Sequence, residues 1–359
     1  MSAARVVVLG GRGNFGARIC RALTGDPAIE VIAAGRRAGN DLQLDLGAAD
    51  FAARLCAASP QIVIHCAGPF QGQDYRVAKA ALAAGAHYID LADGRSFVAR
   101  FGETLDSDAR AAGRLALSGA STLPALSAAV LEHFAPRFHA LEEVRIAIAP
   151  GQRAARGAAT LEGVFSYAGR PFQWLSGGAW REAWGWQELT RLRFAQMGTR
   201  WAAACDVPDL ELVPLRYPGL RTVEFRAALE LPVQHFFLWL AAGLRRAGVP
   251  LPIERWAAPL DRVASLLDGF GGRHGGMLVS LVGTRADGKR RRLEWHLTAP
   301  ASDGPEIPCM AAILLARKLA HGRIAERGAH ACAGFLALGE FEPEFARWQI
   351  TTAIDETDA

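Results

Sequence analysis

Val6-Val7-Val8-Leu9-Gly10-Gly11-Arg12-Gly13-Asn14-Phe15-Gly16 is the stretch that decides the fold. Four apolar residues run without polar interruption into a Gly-x-x-Gly-x-x-Gly loop, and helical spacing begins at Asn14. An apolar run this short, without alternation, predicts a strand buried on both faces, as a parallel sheet requires. The first glycine permits a sharp turn, the second lets backbone approach a pyrophosphate, and the third lets the helix pack close to the strand. Amides at the helix N-terminus then face the phosphates. A dinucleotide site is therefore expected at Gly10, Gly11, Arg12, Gly13, Asn14, Phe15 and Gly16.

The surrounding sequence repeats the strand–helix alternation. Val31–Gly35, Ile62–Cys66, Tyr88–Leu91 and Leu115–Ser118 read as further buried strands, and Leu42–Asp45 as a weaker one. Between them lie Ala-rich segments with helical spacing, and Gly25, Gly85 and Gly113 fall where helices end. This pattern predicts an α/β fold with a doubly wound parallel Rossmann sheet over residues 1–125. From about residue 140 the pattern changes. Val144–Ala149, the alternating run Val223–Leu231, and Met277–Gly283 with Leu293–Ala299 around an Asp287-Gly288 turn predict a mostly antiparallel sheet. A second α+β domain for substrate binding and dimerisation is expected over 126–304, then a helical segment over 305–359 returning to the first domain. The acidic end, Asp355–Asp358, reads as a frayed tail.

The cofactor is narrowed by the end of the second strand, Ala33-Ala34-Gly35-Arg36-Arg37. NAD sites usually place a carboxylate there for the ribose hydroxyls, and none stands here. Arg36 and Arg37 suit the 2′-phosphate of NADP through charge-assisted, bidentate contacts, so NADP is favoured and NAD stays possible. Asp45 is expected to border the adenine. Cys66-Ala67-Gly68-Pro69-Phe70 ends the fourth strand and should pass beneath the nicotinamide ribose, because ligands bind beyond the carboxyl ends of such strands. His65 and Cys66 read equally as packed strand-end residues.

Hydride chemistry also needs a proton donor near the strand ends. Tyr88, Asp90, Asp93 and Ser121 are the catalytic candidates, with Asp93 alternatively capping the helix that begins near Ser96. Tyr75-Arg76-Val77-Ala78-Lys79 has the Tyr-x-x-x-Lys spacing of short-chain dehydrogenases. It follows the fourth strand on an Ala-rich helix and lacks the preceding Ser, so that role is declined.

Composition sets outer limits. The chain has 359 residues, 51% hydrophobic and 21% charged, which fits a globular protein of two domains. A net charge of +4, scattered along the chain, gives no reason to expect a nucleic-acid partner. Lys79, Lys289 and Lys318 are the only lysines. Six separated cysteines, without Cys-x-x-Cys spacing, predict reduced thiols and no metal site. Met1-Ser2-Ala3-Ala4-Arg5 runs straight into the first strand, so a cytoplasmic location without a signal peptide is expected. Phe236–Leu244 is about half a membrane span, so no stable membrane insertion is expected. Five of the nine tryptophans (Trp174, Trp180, Trp184, Trp186, Trp201) fall close together and read as a pocket wall, a dimer interface or core. His274 in the Gly271–Gly276 loop reads as a cleft residue or a mobile surface one.

The Gly10–Gly16 loop, Cys66-Ala67-Gly68-Pro69-Phe70 and Ala81-Leu82-Ala83-Ala84-Gly85-Ala86-His87-Tyr88-Ile89-Asp90-Leu91 together resemble the saccharopine dehydrogenase-like oxidoreductases. The resemblance is specific over about residues 5–135. It implies an NAD(P)-binding Rossmann domain, a substrate domain inserted before a returning helix, a small-molecule substrate held between the domains, and a homodimer. The loop Ser118-Gly119-Ala120-Ser121-Thr122-Leu123-Pro124 departs from that family's Gly-Leu-Asp-Pro-Gly pattern, which argues against saccharopine or lysine as substrate. The expected function is an NADP(H)-dependent oxidoreductase acting on an imine, amino-acid-derived or carbonyl substrate. The alternatives are a non-catalytic NAD(P)-binding sensor or scaffold, and a reductase of lipid-like substrates.

Overall fold

The computed structural model describes residues 3–359, so the Met1-Ser2 start of the leader reading lies outside the described residues. The chain divides into two compact units, residues 1–126 with 306–336, and 127–305 with 337–359.

The first unit is built on strands β1 (Ala4–Leu9), β2 (Ile29–Gly35), β3 (Leu42–Gln43), β4 (Ile62–His65), β5 (His87–Asp90) and β6 (Leu115–Ser118). Gly328–Ala331 joins them to give a seven-stranded sheet in the order Gly328–Ala331, β6, β5, β4, β1, β2, β3. Each pairing is parallel. The uninterrupted apolar runs follow from this: Val6, Val7, Val8, Val63, Ile64 and Leu117 are fully buried because helices cover both faces. Burying each such side chain contributes about 1.5–3 kcal/mol. Helix α1 (Gly16–Leu23) lays Gly16, Ile19 and Leu23 against the sheet at helical spacing. Helices α2 (Phe51–Ala57), α3 (Arg76–Ala83), α4 (Arg95–Ala99) and α5 (Phe101–Ala111) fill the crossovers. The strand order reverses between β1 and β4, which is where ligands bind in open α/β sheets.

The second unit holds a mixed, mostly antiparallel sheet in the order Thr190–Phe194, Gly198–Ala204, Thr222–Ala227, Ala140–Ala149, Gly275–Thr284, Arg290–Ala299, Thr351–Asp358. Only Thr222–Ala227 and Ala140–Ala149 run parallel within that path. A hairpin of Pro171–Ser176 and Ala179–Trp184 attaches to Thr222–Ala227.

Two expectations are corrected. Residues 305–359 are not one helical return: Ile307–Ala320 and Gly328–Ala331 join the first unit, whereas Ala337–Ala359 joins the second. The acidic tail is not frayed, because Thr351–Asp358 pairs along Arg290–Ala299. Charge explains the match: Glu356 binds Arg137 at 3.1 Å and Arg285 at 2.8 Å, and Asp358 binds Arg291. Arg290 likewise reaches Glu142 and Glu143, so these arginines of the basic run spend their charge on carboxylates.

Candidate functional site

The glycine loop forms as a turn pinned to the neighbouring strand. Gly10 takes φ +77° and, with Gly11, donates to the Ala34 carbonyl at 2.8 and 3.1 Å. A Cβ on Gly16 would stand 2.2 Å from the Gly10 carbonyl oxygen, so α1 packs this tightly only because the residue is glycine. The end of β4 closes the other side, where a Cβ on Gly10 would meet Ala67 at 3.2 Å. The loop and the Ala67-Gly68-Pro69 turn are thus brought together, leaving a backbone-lined cradle of the kind a pyrophosphate needs. Arg18 holds the loop from behind, donating to the Asn14 carbonyl at 2.5 Å and to its side-chain oxygen at 2.6 Å.

Gln73 was not foreseen. Its amide donates to the Ala67 carbonyl at 3.0 Å and the Pro69 carbonyl at 2.6 Å, and its oxygen lies 3.3 Å from His65 Nε2. It therefore sets the path of the Ala67–Pro69 backbone. Nothing in the second of two Gln residues, three beyond a Gly-Pro-Phe turn, marks it in sequence. His65 is buried, and burial pushes its pKa down to about 4, so it stays neutral. The Phe70 side chain turns inward, 5.0 Å from the His65 ring and 5.6 Å from Phe97. An apolar ring gains from this aromatic cluster, so the Phe70 side chain packs inward behind the Ala67–Pro69 turn. Cys66 sits partly exposed at the strand end, and burial of its sulfur raises the thiol well above its ordinary range.

At the end of β2 the Arg36 and Arg37 side chains are exposed and make no ion pair among the described residues. The loop that follows brings a carboxylate to this strand from outside it: Asp41 folds back, accepts the Ala33 amide at 2.8 Å, and lies 4.0 Å from Arg12. Asp45 is exposed and accepts the Gly47 amide at 3.0 Å.

The four catalytic candidates separate by burial. Tyr88 and Asp90 lie inside. One Asp90 oxygen accepts from the Gly119 amide at 2.8 Å, the Ala92 amide at 3.0 Å and the Ser118 hydroxyl at 3.0 Å. Burial nevertheless raises its pKa to about 6, against the lowering effect of those bonds. Tyr88 stacks on Phe101 at 5.8 Å, and burial with the Asp90 charge beside it pushes its phenol well up. Asp93 and Ser121 remain partly exposed. Asp93 accepts from Gln71 at 3.2 Å, and burial of its carboxyl raises its pKa. Ser121 belongs to the loop that Asp90 anchors. Tyr75 donates to the Phe97 carbonyl at 2.9 Å, and Lys79 is exposed.

The tryptophans form no single wall. Trp174 and Trp186 are buried, whereas Trp180 and Trp201 are exposed. His274 is exposed. Among the described residues, no group of three or more His, Cys, Asp or Glu could hold a metal ion, all six cysteines are free, and no helix is long and apolar enough to cross a membrane.

A parallel sheet in this order, a glycine cradle at its reversal point and a second mixed sheet define the two-domain fold of the saccharopine dehydrogenase-like proteins. The chain is similar to apo saccharopine dehydrogenase (L-Glu forming) from Saccharomyces cerevisiae, with 11% identity, 99% of this chain and 100% of that chain covered, and a TM-score of 0.66. It is also similar to homospermidine synthase from Legionella pneumophila in complex with NAD (9% identity, 99% and 92% covered, TM-score 0.62). DAP dehydrogenase of C. glutamicum in complex with DAP aligns at 15% identity over 96% of this chain and 99% of that one, with a TM-score of 0.51. The model of the NAD dependent epimerase/dehydratase family matches residues 6–88. No curated protein matches the sequence.

Proposed function

We propose that the protein is an NADP(H)-dependent oxidoreductase that transfers hydride to or from an imine, amino-acid-derived or carbonyl substrate. The observation that carries this reading is the glycine cradle of Gly10, Gly13 and Gly16 closed by Ala67-Gly68-Pro69, with the free Arg36 and Arg37 side chains at the end of β2. Solved structures of the same fold support it, since they include dehydrogenases of amino-acid-derived compounds. A bound nicotinamide dinucleotide would supply the hydride. The chain's own residues do the rest. Amides at the start of α1 would receive the phosphates, those of Gly10 and Gly11 being taken by the Ala34 carbonyl and that of Gly13 by the Gly10 carbonyl. The two guanidiniums would receive a 2′-phosphate. Asp93, which accepts from Gln71, is the residue assigned to give or take the proton, with the Ser121 hydroxyl as the second candidate. Tyr88 and Asp90 are positioning residues, because both are inside and Asp90 shapes the loop that carries Ser121.

Deuterium transfer from 4-deuterated NADPH, read by mass spectrometry across mixtures of α-keto acids with amines and across simple ketones, tests the reading. Label in a reduced product is expected. Tight NADPH binding without transfer to any of them overturns it in favour of a sensor or scaffold. The same reading carries a homodimer formed through the second unit and a cytoplasmic location, checked by light scattering of the purified chain and by fractionation.

A further inference from the structure

The carboxylate missing from the end of β2 in sequence is restored by the fold six residues beyond the strand. β2 and β3 pair only at Ala34–Leu42 and Gly35–Gln43, so the Ala33 amide lies one residue short of a ladder partner. Asp41 Oδ2 takes that amide at 2.8 Å, which fixes the carboxylate against the strand. The loop cannot swing it away cheaply. Asn40 donates to the Arg37 carbonyl at 2.7 Å, Gln43 to the Arg36 carbonyl at 3.1 Å, and the Leu44 amide to the Gly35 carbonyl at 3.0 Å. The other Asp41 oxygen faces the glycine loop, 4.0 Å from Arg12. Ala33, which holds the carboxylate, is also what a Cβ on Gly11 would strike at 2.8 Å. Asp41 therefore stands beside Ala33, two residues from the tip of the second strand, with its other oxygen toward the glycine loop.

Side chains at that tip decide between a ribose hydroxyl, which a carboxylate accepts, and a 2′-phosphate, which a carboxylate repels. We propose that Asp41 sets the choice between NAD and NADP: its anchored carboxylate opposes the Arg36–Arg37 pair, so the site keeps NAD as a usable cofactor and prefers NADP only modestly. This inference rests on the dinucleotide reading above. It assigns opposite signs to neighbouring residues, with the arginines drawing the phosphate and Asp41 limiting that attraction.

Dissociation constants of NAD⁺ and NADP⁺ measured by isothermal titration calorimetry on the purified full chain, wild type and Asp41→Asn, test it. The amide of Asp41→Asn keeps an oxygen for the Ala33 amide while losing the charge, and its melting temperature reports whether the loop is intact. NADP⁺ is expected to tighten and NAD⁺ to weaken, widening their ratio about tenfold as one like-charge repulsion is removed. An unchanged ratio, including a shift of both constants by one factor, overturns the inference while leaving the dinucleotide site standing. If Asp41→Asn melts much lower, Asp41→Glu is measured in its place, and a preserved charge must then preserve the wild-type ratio. Binding of neither nucleotide to the wild type removes the dinucleotide reading and this inference together.

Discussion

The Glu306 carboxylate meets the Arg18 guanidinium at 3.0 Å, joining the start of the returning helix Ile307–Ala320 to the helix behind the glycine loop. Arg18 in turn holds Asn14 by both its carbonyl and its side chain. The start of the returning helix thus steadies the glycine loop near the beginning of the chain.

Glu306→Gln should loosen that loop. Both side chains of the Arg18–Glu306 pair are largely buried, so losing the charge leaves a poorly solvated guanidinium. Arg21, also paired with Glu306 at 3.2 Å, is mostly exposed and adds little. A loss on the order of 1–3 kcal/mol in stability is expected, with several-fold weaker nucleotide binding. Thermal melting and calorimetric titration check both, and a variant with unchanged binding would show that the loop needs no support from this end.

Gly16→Ala should abolish nucleotide binding. Its Cβ would lie 2.2 Å from the Gly10 oxygen and 2.8 Å from the Gly10 carbonyl carbon, and both are backbone atoms that cannot turn aside. Gly25→Ala is the control: it meets nothing within 4 Å and bears only the strain of φ +99°, about 1 kcal/mol. Circular dichroism melts of the two variants should therefore separate clearly. Equal melting would refute the close-packing argument.

Asp90→Asn should stabilise the protein more at pH 8 than at pH 5. Burial raises the native carboxyl to about 6, whereas the unfolded group titrates near about 4. Between those values the native state binds more protons than the unfolded one, so wild-type stability falls as pH rises and levels off above about pH 6. The asparagine variant escapes that fall, gaining on the order of 1–3 kcal/mol at pH 8. A melting-temperature difference that does not change with pH rejects the account.

Tyr75→Phe should keep turnover within about twofold and cost about 1 kcal/mol of stability, the net worth of one hydrogen bond. The phenol donates to the Phe97 carbonyl, and burial raises its pKa when a proton-transfer role would need it lowered. A hundredfold fall in kcat with an unchanged melting temperature would return the Tyr-x-x-x-Lys motif to consideration.

Much of the first unit could be read directly. β1 and β6 announce themselves because a parallel strand covered on both faces must be apolar throughout, and the glycine spacing repeats what the turn needs. The second unit was less legible. Pro171–Ser176, Ala179–Trp184, Thr190–Phe194 and Gly198–Ala204 are strands whose mixed Trp, Arg and Gly content mimics a loop or a pocket wall. Their tryptophans divide between core and surface according to which face the pleat presents.

By itself, then, the sequence determined the sheet, the cradle and the pair of arginines beside it, because each depends on residues adjacent in the chain. Only the tertiary structure decided the rest. It packed the Phe70 ring among His65 and Phe97, drew Tyr88 and Asp90 inside, and matched the acidic tail to an arginine-bearing strand. It also returned Asp41 to the strand end and Glu306 to Arg18. The reason is physical: local spacing encodes backbone conformation and burial, whereas the partner of a charge depends on which loops the finished fold brings together.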